Sequence, residues 1–369
     1  MAEPREAFVG IDVAKLRNAV AVADAGRDGE VRFFGEVDAS PESMRRLAAK
    51  LAARYDRLTF CYGAGPTGYG LHRLLTDLGH ACMVVAPSLI PRKPSDRVKT
   101  NRRDALTLAR LLRAGELTAV WVPDTAHEAM RNLVRARTAA VKDVGLKKRQ
   151  VGAFLLRHSR IFPRRKNWGA RYRRWLATQG FEHPADQIVL QEGIEGVRVA
   201  EERLARIERA IEEFLPSWGL APLVEALQAL RGVDLVTAVT FVVEVGDIRR
   251  FENPRQLMGY LGLVPGERST GDAVRRGSIT KMGNARVRHL LVESAWTYRH
   301  PPRVGAAKLA KLERVSPRVR EIAWKAQSRL TARYRALTAR GKRTTVTCTA
   351  IARELAAFMW AVAREAQPA

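Results

Sequence analysis

The spacing of short apolar runs in the first 125 residues most constrains what this chain can fold into. Three strand-like runs follow one another closely at Phe8–Asp12, Ala19–Ala23 and Val31–Val37. A helix is then predicted after Ser40, where a serine, a proline and a glutamate form a helix start. The later segments are a strand at Leu58–Tyr62, a helix at Leu71–Leu78, a strand at Ala81–Ala86 and a helix from Arg102 to Ala114. The order βββαβαβα predicts an α/β domain.

The rest of the chain is predicted to be helical. From about Thr125 to Leu215 strand signals vanish while spaced aliphatic residues persist, which indicates long helices or a helical hairpin with a turn or insertion at Pro163–Arg174. Pro216 and Pro222 mark the start of a compact, mostly helical C-terminal domain. We therefore predict three parts: residues 1–125, a helical linker or coiled coil over 126–218, and a domain over 219–369.

Net charge indicates a polyanionic partner. Lys and Arg number 64 against 38 Asp and Glu, a formal charge of +26. Residues 131–174 carry fifteen bases and one acid, and residues 303–343 carry thirteen bases and two acids. Neither segment has an apolar insertion face, so nucleic acid is favoured over an anionic membrane surface. Candidate nucleic-acid contacts are the basic residues Arg164, Arg165 and Lys166.

Other features exclude several classes of protein. No apolar run approaches the length of a membrane span, and the first residues lack a secretory signal, so a cytoplasmic protein without a membrane partner is expected. Cys61, Cys82 and Cys348 are far apart in the sequence and form no CxxC motif, which argues against a zinc site or a disulfide framework.

Two acids fit a metal-dependent nuclease of the RNase-H-like type, which has the same element order. Such sites gather carboxylates at one end of the sheet around divalent ions such as Mg²⁺. Asp12 ends the first strand in VGIDVAK, and Asp104 lies on the late helix in KTNRRDALTLAR. A single acid at a strand end is often only a turn residue. The presence of both Asp12 and Asp104 favours a role in metal binding. Asn101, one helical turn before Asp104, and Gly63, at the end of another strand, carry no charge where acids are expected.

A second candidate site is the segment GYLGLVPGERSTGDAVRRGSITKMGNARVRHLL. A serine hydroxyl among cations can attack a phosphodiester while guanidinium groups stabilise the developing charge; the alternative is an ordinary surface loop. Its candidate residues are Ser269 or the adjacent Thr270 as nucleophile, with Arg268, Arg275, Arg276, Lys281 and Arg286 as nucleic-acid contacts. Upstream, LRGVDLVTAVTFVVEVGDI resembles a helix-hairpin-helix element with Gly232 in its turn, although a tight turn between buried helices reads the same way.

These residues resemble the DEDD-type transposases of the insertion-sequence 110/1111 group, which includes the Piv-type DNA invertases. The matching segments are FVGIDVAK, CYGAGPTGYGLHRLL, VKTNRRDALTLARLLRAGELTAVWVP, GYLGLVPGERSTG and GSITKMGNARVRHLLVESAWTYRH, with closer similarity to the 1111 branch. The resemblance implies a RuvC-like N-terminal domain, a helical linker and a C-terminal transposase domain that donates a serine nucleophile. It also implies a two-metal Mg²⁺ site with Asp12 and Asp104 as metal-binding acids, a structured guide RNA, donor and target DNA, and dimers that pair into tetramers.

Three functional hypotheses follow. The first is an RNA-guided, Mg²⁺-dependent recombinase for transposition or inversion, which forms a covalent serine linkage to DNA. In the second, the chain binds nucleic acid without catalysis, because the family has Glu where this chain has Gly63 and Asp where it has Asn101. The third is a junction-cutting nuclease that uses only the N-terminal domain, and the long serine-bearing C-terminal region counts against it.

Overall fold

A computed structural model describes residues 4–65, 67–91, 100–164, 168–270 and 273–367. The chain divides into two compact units, Met1–Val122 and Pro123–Ala369. The first unit contains strands β1 (Glu6–Asp12), β2 (Arg17–Asp24), β3 (Val31–Asp38), β4 (Arg57–Gly63) and β5 (Ala81–Val85), with helices α1 (Pro41–Ala52), α2 (Gly70–Asp77) and α3 (Asn101–Arg113). The predicted order βββαβαβα is confirmed.

The five strands form one sheet in the order β3-β2-β1-β4-β5. β1 pairs antiparallel with β2 and parallel with β4, and β5 extends the sheet in parallel with β4. Alternate residues face opposite sides. Val9 and Ile11 pack with α1, whereas the small side chains Ala19, Ala21 and Ala23 face α3. These alanines leave room for α3 to lie close to the sheet.

The second unit is helical apart from one small hairpin. Its elements are α4 (Thr125–Arg157), α5 (Ala170–Ala177), α6 (Pro184–Phe214), α7 (Ala221–Leu227), α8 (Leu235–Val245), α9 (Pro254–Tyr260), β6 (Pro265–Glu267), β7 (Arg276–Ile279), α10 (Ala285–Ala295), α11 (Ala306–Glu313), α12 (Pro317–Ala339) and α13 (Thr344–Ala366). The predicted helical hairpin is confirmed, since α4 and α6 pack along each other. Ion pairs Arg137–Glu208 and Lys148–Glu201 show that the two helices run antiparallel.

One hydrophobic core joins α7 to α13 with the start of α4 and the end of α6. Met130, Val134 and Ile211 belong to this core, so the helical segment and the C-terminal helices share one unit. The division between a linker and a third domain stays a prediction. Helix α13 has the length and composition of a membrane span, but half of it is buried and Ile351 and Leu355 are core residues. It is a core helix of this unit.

Candidate catalytic sites

Asp12 and Gly63 lie at the same edge of the sheet and on the same face. β1 and β4 run parallel, and Ile11 lies opposite Tyr62. The next residues of the two strands, Asp12 and Gly63, are therefore level with each other. Phe8 packs with α3, and Cys61 packs with Leu108 of α3. Because side chains alternate along a strand, Asp12 and the Gly63 position also face the α3 side.

The first turn of α3 lies at this same edge. The guanidinium of Arg113, at the end of α3, donates to the carbonyl oxygens of Asp24 and Gly29 at 3.1 and 2.7 Å. Asp24 pairs with Ala7 near the start of β1. The end of α3 therefore covers the start of β1, and the beginning of α3, with Asp104, lies toward Asp12. The topology therefore directs the first turn of α3, which carries Asp104, toward the edge of the sheet where β1 ends at Asp12.

Gly10 allows α3 to lie directly on β1. A Cβ atom at this position would be 2.4 Å from the amide nitrogen of Ala109, 2.5 Å from the carbonyl oxygen of Ala105 and 2.9 Å from Cβ of Leu108. Those distances are shorter than van der Waals contact, and two of them involve backbone atoms. Only glycine fits, and the close packing fixes the height of Asp104 above the sheet.

The remaining two expected acid positions are open and uncharged. A Cβ atom at Gly63 would have only Cγ of Pro87 within 4 Å, at 3.8 Å. Asn101 is exposed at the start of α3, where the Thr100 hydroxyl accepts a hydrogen bond from the Arg103 amide. Among the described residues, no group of three or more His, Cys, Asp and Glu side chains is placed to hold a metal ion.

Ser269 lies in the loop between β6 and β7 and is exposed. Its hydroxyl donates a hydrogen bond of 2.8 Å to Oε1 of Glu267, and Nε of Arg276 lies 3.4 Å from Oε2 of the same carboxylate. The hydrogen bond from Ser269, then the contact with Arg276, lower the pKa of Glu267. Thr270 differs from its neighbour because its backbone exchanges two hydrogen bonds with Ala273. Among the described residues, Ser269 is thus the one of the two hydroxyls with a carboxylate acceptor.

The hairpin has a rigid base. Gly262 and Gly283 both have positive φ, and a Cβ atom at either position would collide with the carbonyl oxygen of Met282 or Tyr260, at 2.1 and 1.8 Å. The Arg288 guanidinium donates to the carbonyl oxygens of Leu261 and Met282 at 2.8 and 3.1 Å. The two chain segments at the base are therefore held in direct backbone contact, which fixes the origin of the serine loop.

A buried carboxylate connects this base to α4. Glu244 in α8 accepts hydrogen bonds from Arg135 of α4, from Arg286 and from the side-chain amide of Asn284, which also caps α10. Burial would raise the pKa of Glu244, but the hydrogen bonds from Arg135, Asn284 and Arg286 outweigh it and lower the pKa to about 2. Arg286 thus has an intramolecular partner, and its contact with nucleic acid stays a prediction.

The other predicted nucleic-acid contacts are mostly solvent-facing. Arg268, Arg275 and Arg276 line a groove of about 820 Å³ beside the hairpin. Lys281 is exposed and has a positive φ of 56°. Arg164 is exposed, whereas the predicted contacts Arg165 and Lys166 lie outside the described residues.

The Gly232 turn connects α7 and α8 and is packed rather than open. A Cβ atom at Gly232 would be 2.6 Å from the carbonyl oxygen of Ser294. Nζ of Lys308 donates to the carbonyl oxygens of Gln228 and Leu230 at 2.5 and 2.8 Å. These contacts favour the interpretation as a tight turn between buried helices.

Sequence reasoning missed three residues that shape the two sites. Gly10 interrupts an apolar strand, a signal of close backbone approach that could have been used. Glu267 lies two residues before Ser269, on the same side of an extended chain, and was also visible in the sequence. Glu244 had no local signal, because its partners are 40 residues or more away along the chain.

Comparisons with known proteins agree with these features. Residues 9–160 match the profile of DEDD-type IS110 transposases, and residues 224–309 match the profile described as Transposase IS116/IS110/IS902 family. The y4qE protein of Sinorhizobium fredii, a transposase by its name, is 65% identical over 367 residues, which is 100% of this chain and 91% of the relative. The transposase for insertion sequence element IS1533 of Leptospira borgpetersenii is 29% identical over 92% of this chain and 99% of its own length. The transposase for IS1111A of Coxiella burnetii is 38% identical over 71 residues, 19% of this chain and 20% of the relative.

The chain belongs to the IS110 family of insertion-sequence transposases. The family predicted from its motifs is confirmed. The activity class of this family is DNA transposition, and the family's substrate is DNA.

Proposed function

We propose that this transposase is a Mg²⁺-dependent DNA recombinase of an insertion sequence, with an RNase-H-like, RuvC-like first unit. The observation that carries the proposal is the convergence of Asp12 and the first turn of α3 at one edge of the sheet, which follows from the β1–β4 register and the Arg113 contacts. Paired carboxylates at the end of a sheet suit a divalent cation that must also meet a phosphate.

The residues fit one Mg²⁺ better than two. Asp12 and Asp104 would supply two carboxylates, and the side-chain oxygen of Asn101 could add a neutral ligand. Mg²⁺ usually keeps several waters and uses one or two carboxylates together with substrate phosphates, so this donor set suffices for one ion. When bound, the ion would stabilise negative charge on the phosphate that is being transferred.

Ser269 is proposed as the nucleophile of strand exchange. Its Oγ would form a bond to phosphorus while the bond from phosphorus to a deoxyribose oxygen breaks, leaving a DNA hydroxyl that later reverses the linkage. Glu267 already accepts the hydrogen bond of the Ser269 hydroxyl, the arrangement that a proton acceptor requires. Arg268, Arg275 and Arg276 beside it would stabilise charge on the phosphate. Thr270 is the alternative nucleophile.

The partners in this proposal are donor and target DNA, a structured guide RNA and further copies of the chain. The net charge of +26 supports a complex with several nucleic-acid backbones at once. By family resemblance, subunits would pair as dimers and tetramers so that the acids of one complete the serine site of another. Sequencing the RNA that copurifies with the chain tests the guide: a discrete species encoded beside the gene supports it, and only bulk cellular RNA counts against it.

One observation favours a second function, which is nucleic-acid binding without catalysis: Gly63 and Asn101 carry no charge. A chain with two of the four expected acids could bind and pair nucleic acids without cutting them. The two functions differ in whether Mg²⁺-dependent strand breakage occurs.

One set of variants separates these functions. Strand exchange between donor and target DNA is measured with Mg²⁺ for the natural chain, Asp12→Asn, Asp104→Asn and, as a matched surface control, Asp77→Asn, which is exposed at the end of α2. We expect losses of roughly 100-fold or more for the first two and none for the control. Full activity of Asp12→Asn would exclude the metal role.

The same assay includes Gly63→Glu with Asn101→Asp. Because the Gly63 position is sterically open, this double variant should fold normally. If the natural chain is inactive and the double variant cuts DNA, the binding function is correct for the natural chain. Activity of the natural chain that the double variant merely raises would support the recombinase.

A further inference from the structure

Helix α12 carries a basic surface that no contact within its unit explains. Arg320, Lys325 and Arg335 are exposed, and none of them makes an ion pair or a side-chain hydrogen bond with the described residues. Other bases of the helix behave differently: Arg329 and Arg333 both contact Glu354 of α13 at 3.0 and 3.4 Å. Arg320 and Arg335 therefore lie on a different side of α12 from Arg329 and Arg333, and Lys325, one turn before Arg329, lies between the two sides.

The acid on this side does not cancel their charge. Glu321 is already paired with Arg318 at 2.9 Å. A helix face in solution normally mixes charges of both signs, and ion pairs between neighbouring turns are its usual stabilisation. Three unpaired cations in 16 residues give this face a net positive potential, which a partner of opposite charge would neutralise.

Trp324 lies in the middle of this basic face. All seven tryptophans fall in the described part of the chain, and Trp324 is the single exposed one, with 53% of its surface accessible. Its indole makes no hydrogen bond, ring contact or cation–π contact with the described residues. Arg320 is one turn before it and Arg335 about three turns after it on the same face, and Ser328, one turn after Trp324, is small. The ring is therefore open to a flat ligand.

The partner must be both anionic and flat. At this basic face, a second copy of this chain, with a net charge of +26, is a poorer match than a polyanion. A membrane would require an apolar face, and Trp324 stands alone among cations. A duplex buries the faces of its bases in stacking, whereas a single strand offers unpaired bases for an aromatic ring and phosphates for the cations beside it.

We propose that this face of α12 binds single-stranded nucleic acid, with one unpaired base stacked on Trp324 and the neighbouring backbone held by Arg320, Lys325 and Arg335. The inference rests on the role of the chain in handling nucleic acid, and it adds a surface for an unpaired segment that lies outside the serine hairpin. Stacking on an aromatic ring tolerates any base, so the surface would hold a strand without reading its sequence.

The test compares binding of fluorescein-labelled dT20, U20 and a 20-base-pair duplex to the full chain by fluorescence anisotropy over a range of salt concentrations. Trp324→Ala should weaken binding of at least one single strand roughly 5- to 150-fold at every salt concentration, because stacking releases no counterions, and leave the duplex within about twofold. Trp324→Phe should retain part of the affinity. The control Leu309→Ala changes an apolar side chain that is 52% exposed on α11, and it should have no effect.

The cations give an independent signature. Arg320→Gln with Lys325→Gln should lower the slope of log affinity against log salt by about 0.7 for each lost phosphate contact, whereas Trp324→Ala should leave the slope unchanged. Arg27→Gln with Arg54→Gln removes the same charge from exposed residues of the first unit and serves as the control.

The inference is overturned if Trp324→Ala leaves binding of both single strands unchanged, or weakens single strands and duplex equally. In either case DNA strand exchange and its dependence on Asp12 remain as they were, so failure of this surface is distinguishable from failure of the proposed function. Tryptophan emission gives a direct check: it should fall when dT20 or U20 binds, and the fall should be smaller in Trp324→Phe.

Discussion

Replacing Gly10 by alanine should lift α3 off the sheet and move Asp104 away from Asp12. The added Cβ would begin 2.4 Å from the Ala109 nitrogen, and about 3.4 Å is needed for ordinary contact, so α3 must withdraw by about 1 Å. Overpacking of this kind costs about 1–3 kcal/mol. For a unit of this size, that corresponds to a fall in Tm of about 4–12 °C.

Hydrogen exchange of the full chain, read by mass spectrometry, is the appropriate assay because it isolates the first unit. We expect faster exchange of the α3 amides and weaker Mg²⁺ binding by titration calorimetry in Gly10→Ala. The matched control is Gly63→Ala on the adjacent strand, where the new Cβ meets only Pro87 at 3.8 Å and exchange should not change. Shortening Leu108 to alanine should not rescue Gly10→Ala, because the shortest contacts are to backbone atoms. Unchanged α3 exchange in Gly10→Ala would refute the reasoning.

Three further predictions concern the second unit. Ser269→Ala should abolish the covalent adduct between protein and DNA on denaturing gels while Thr270→Ala retains it; an adduct that survives only in Ser269→Ala would move the role to Thr270. Glu244 has a pKa of about 2 in the folded chain against about 4.3 unfolded, so its stabilisation is present above pH 4.3 and is lost as the pH falls toward 2. Glu244→Gln should lower the free energy of unfolding at pH 7 by roughly 3 kcal/mol and reduce the loss of that free energy below pH 4.3. If denaturant titrations show the same loss at low pH in the variant, the stabilisation by the buried ion pairs is contradicted. Burial, then repulsion from Lys311, lowers the pKa of Lys308 to about 8, so the unfolded chain binds more protons between pH 8 and 10.4 and stability should rise with pH there. Lys308→Met should remove that rise in stability with pH. If the variant shows a rise of equal size, a titratable group other than Lys308 causes it.

The element order was accessible from the sequence because it depends on local patterns. Apolar alternation, helix starts and turn residues each act within a few positions, so the βββαβαβα order and the long helices of the second unit could be predicted. Asp12 and Asp104 were identified for the same reason, since each occupies a recognisable place at the end of a predicted element. The family motifs are likewise short contiguous segments.

Tertiary structure decided how those segments meet. The faces of β1 and β4, the direction of α3 and the contact at Gly10 depend on which strands pair and how closely a helix can approach, which no local pattern contains. Arg286 illustrates the difference, because its charge is evident in the sequence but its partner Glu244 is 42 residues away. Trp324 illustrates it again: an aromatic residue on a helix is usually buried, and only the packing of α12 leaves it in solvent. The sequence by itself thus determined which elements and reactive groups are present, because these depend on neighbours along the chain. Only the fold determined which groups are paired, buried or free, because these depend on neighbours in space.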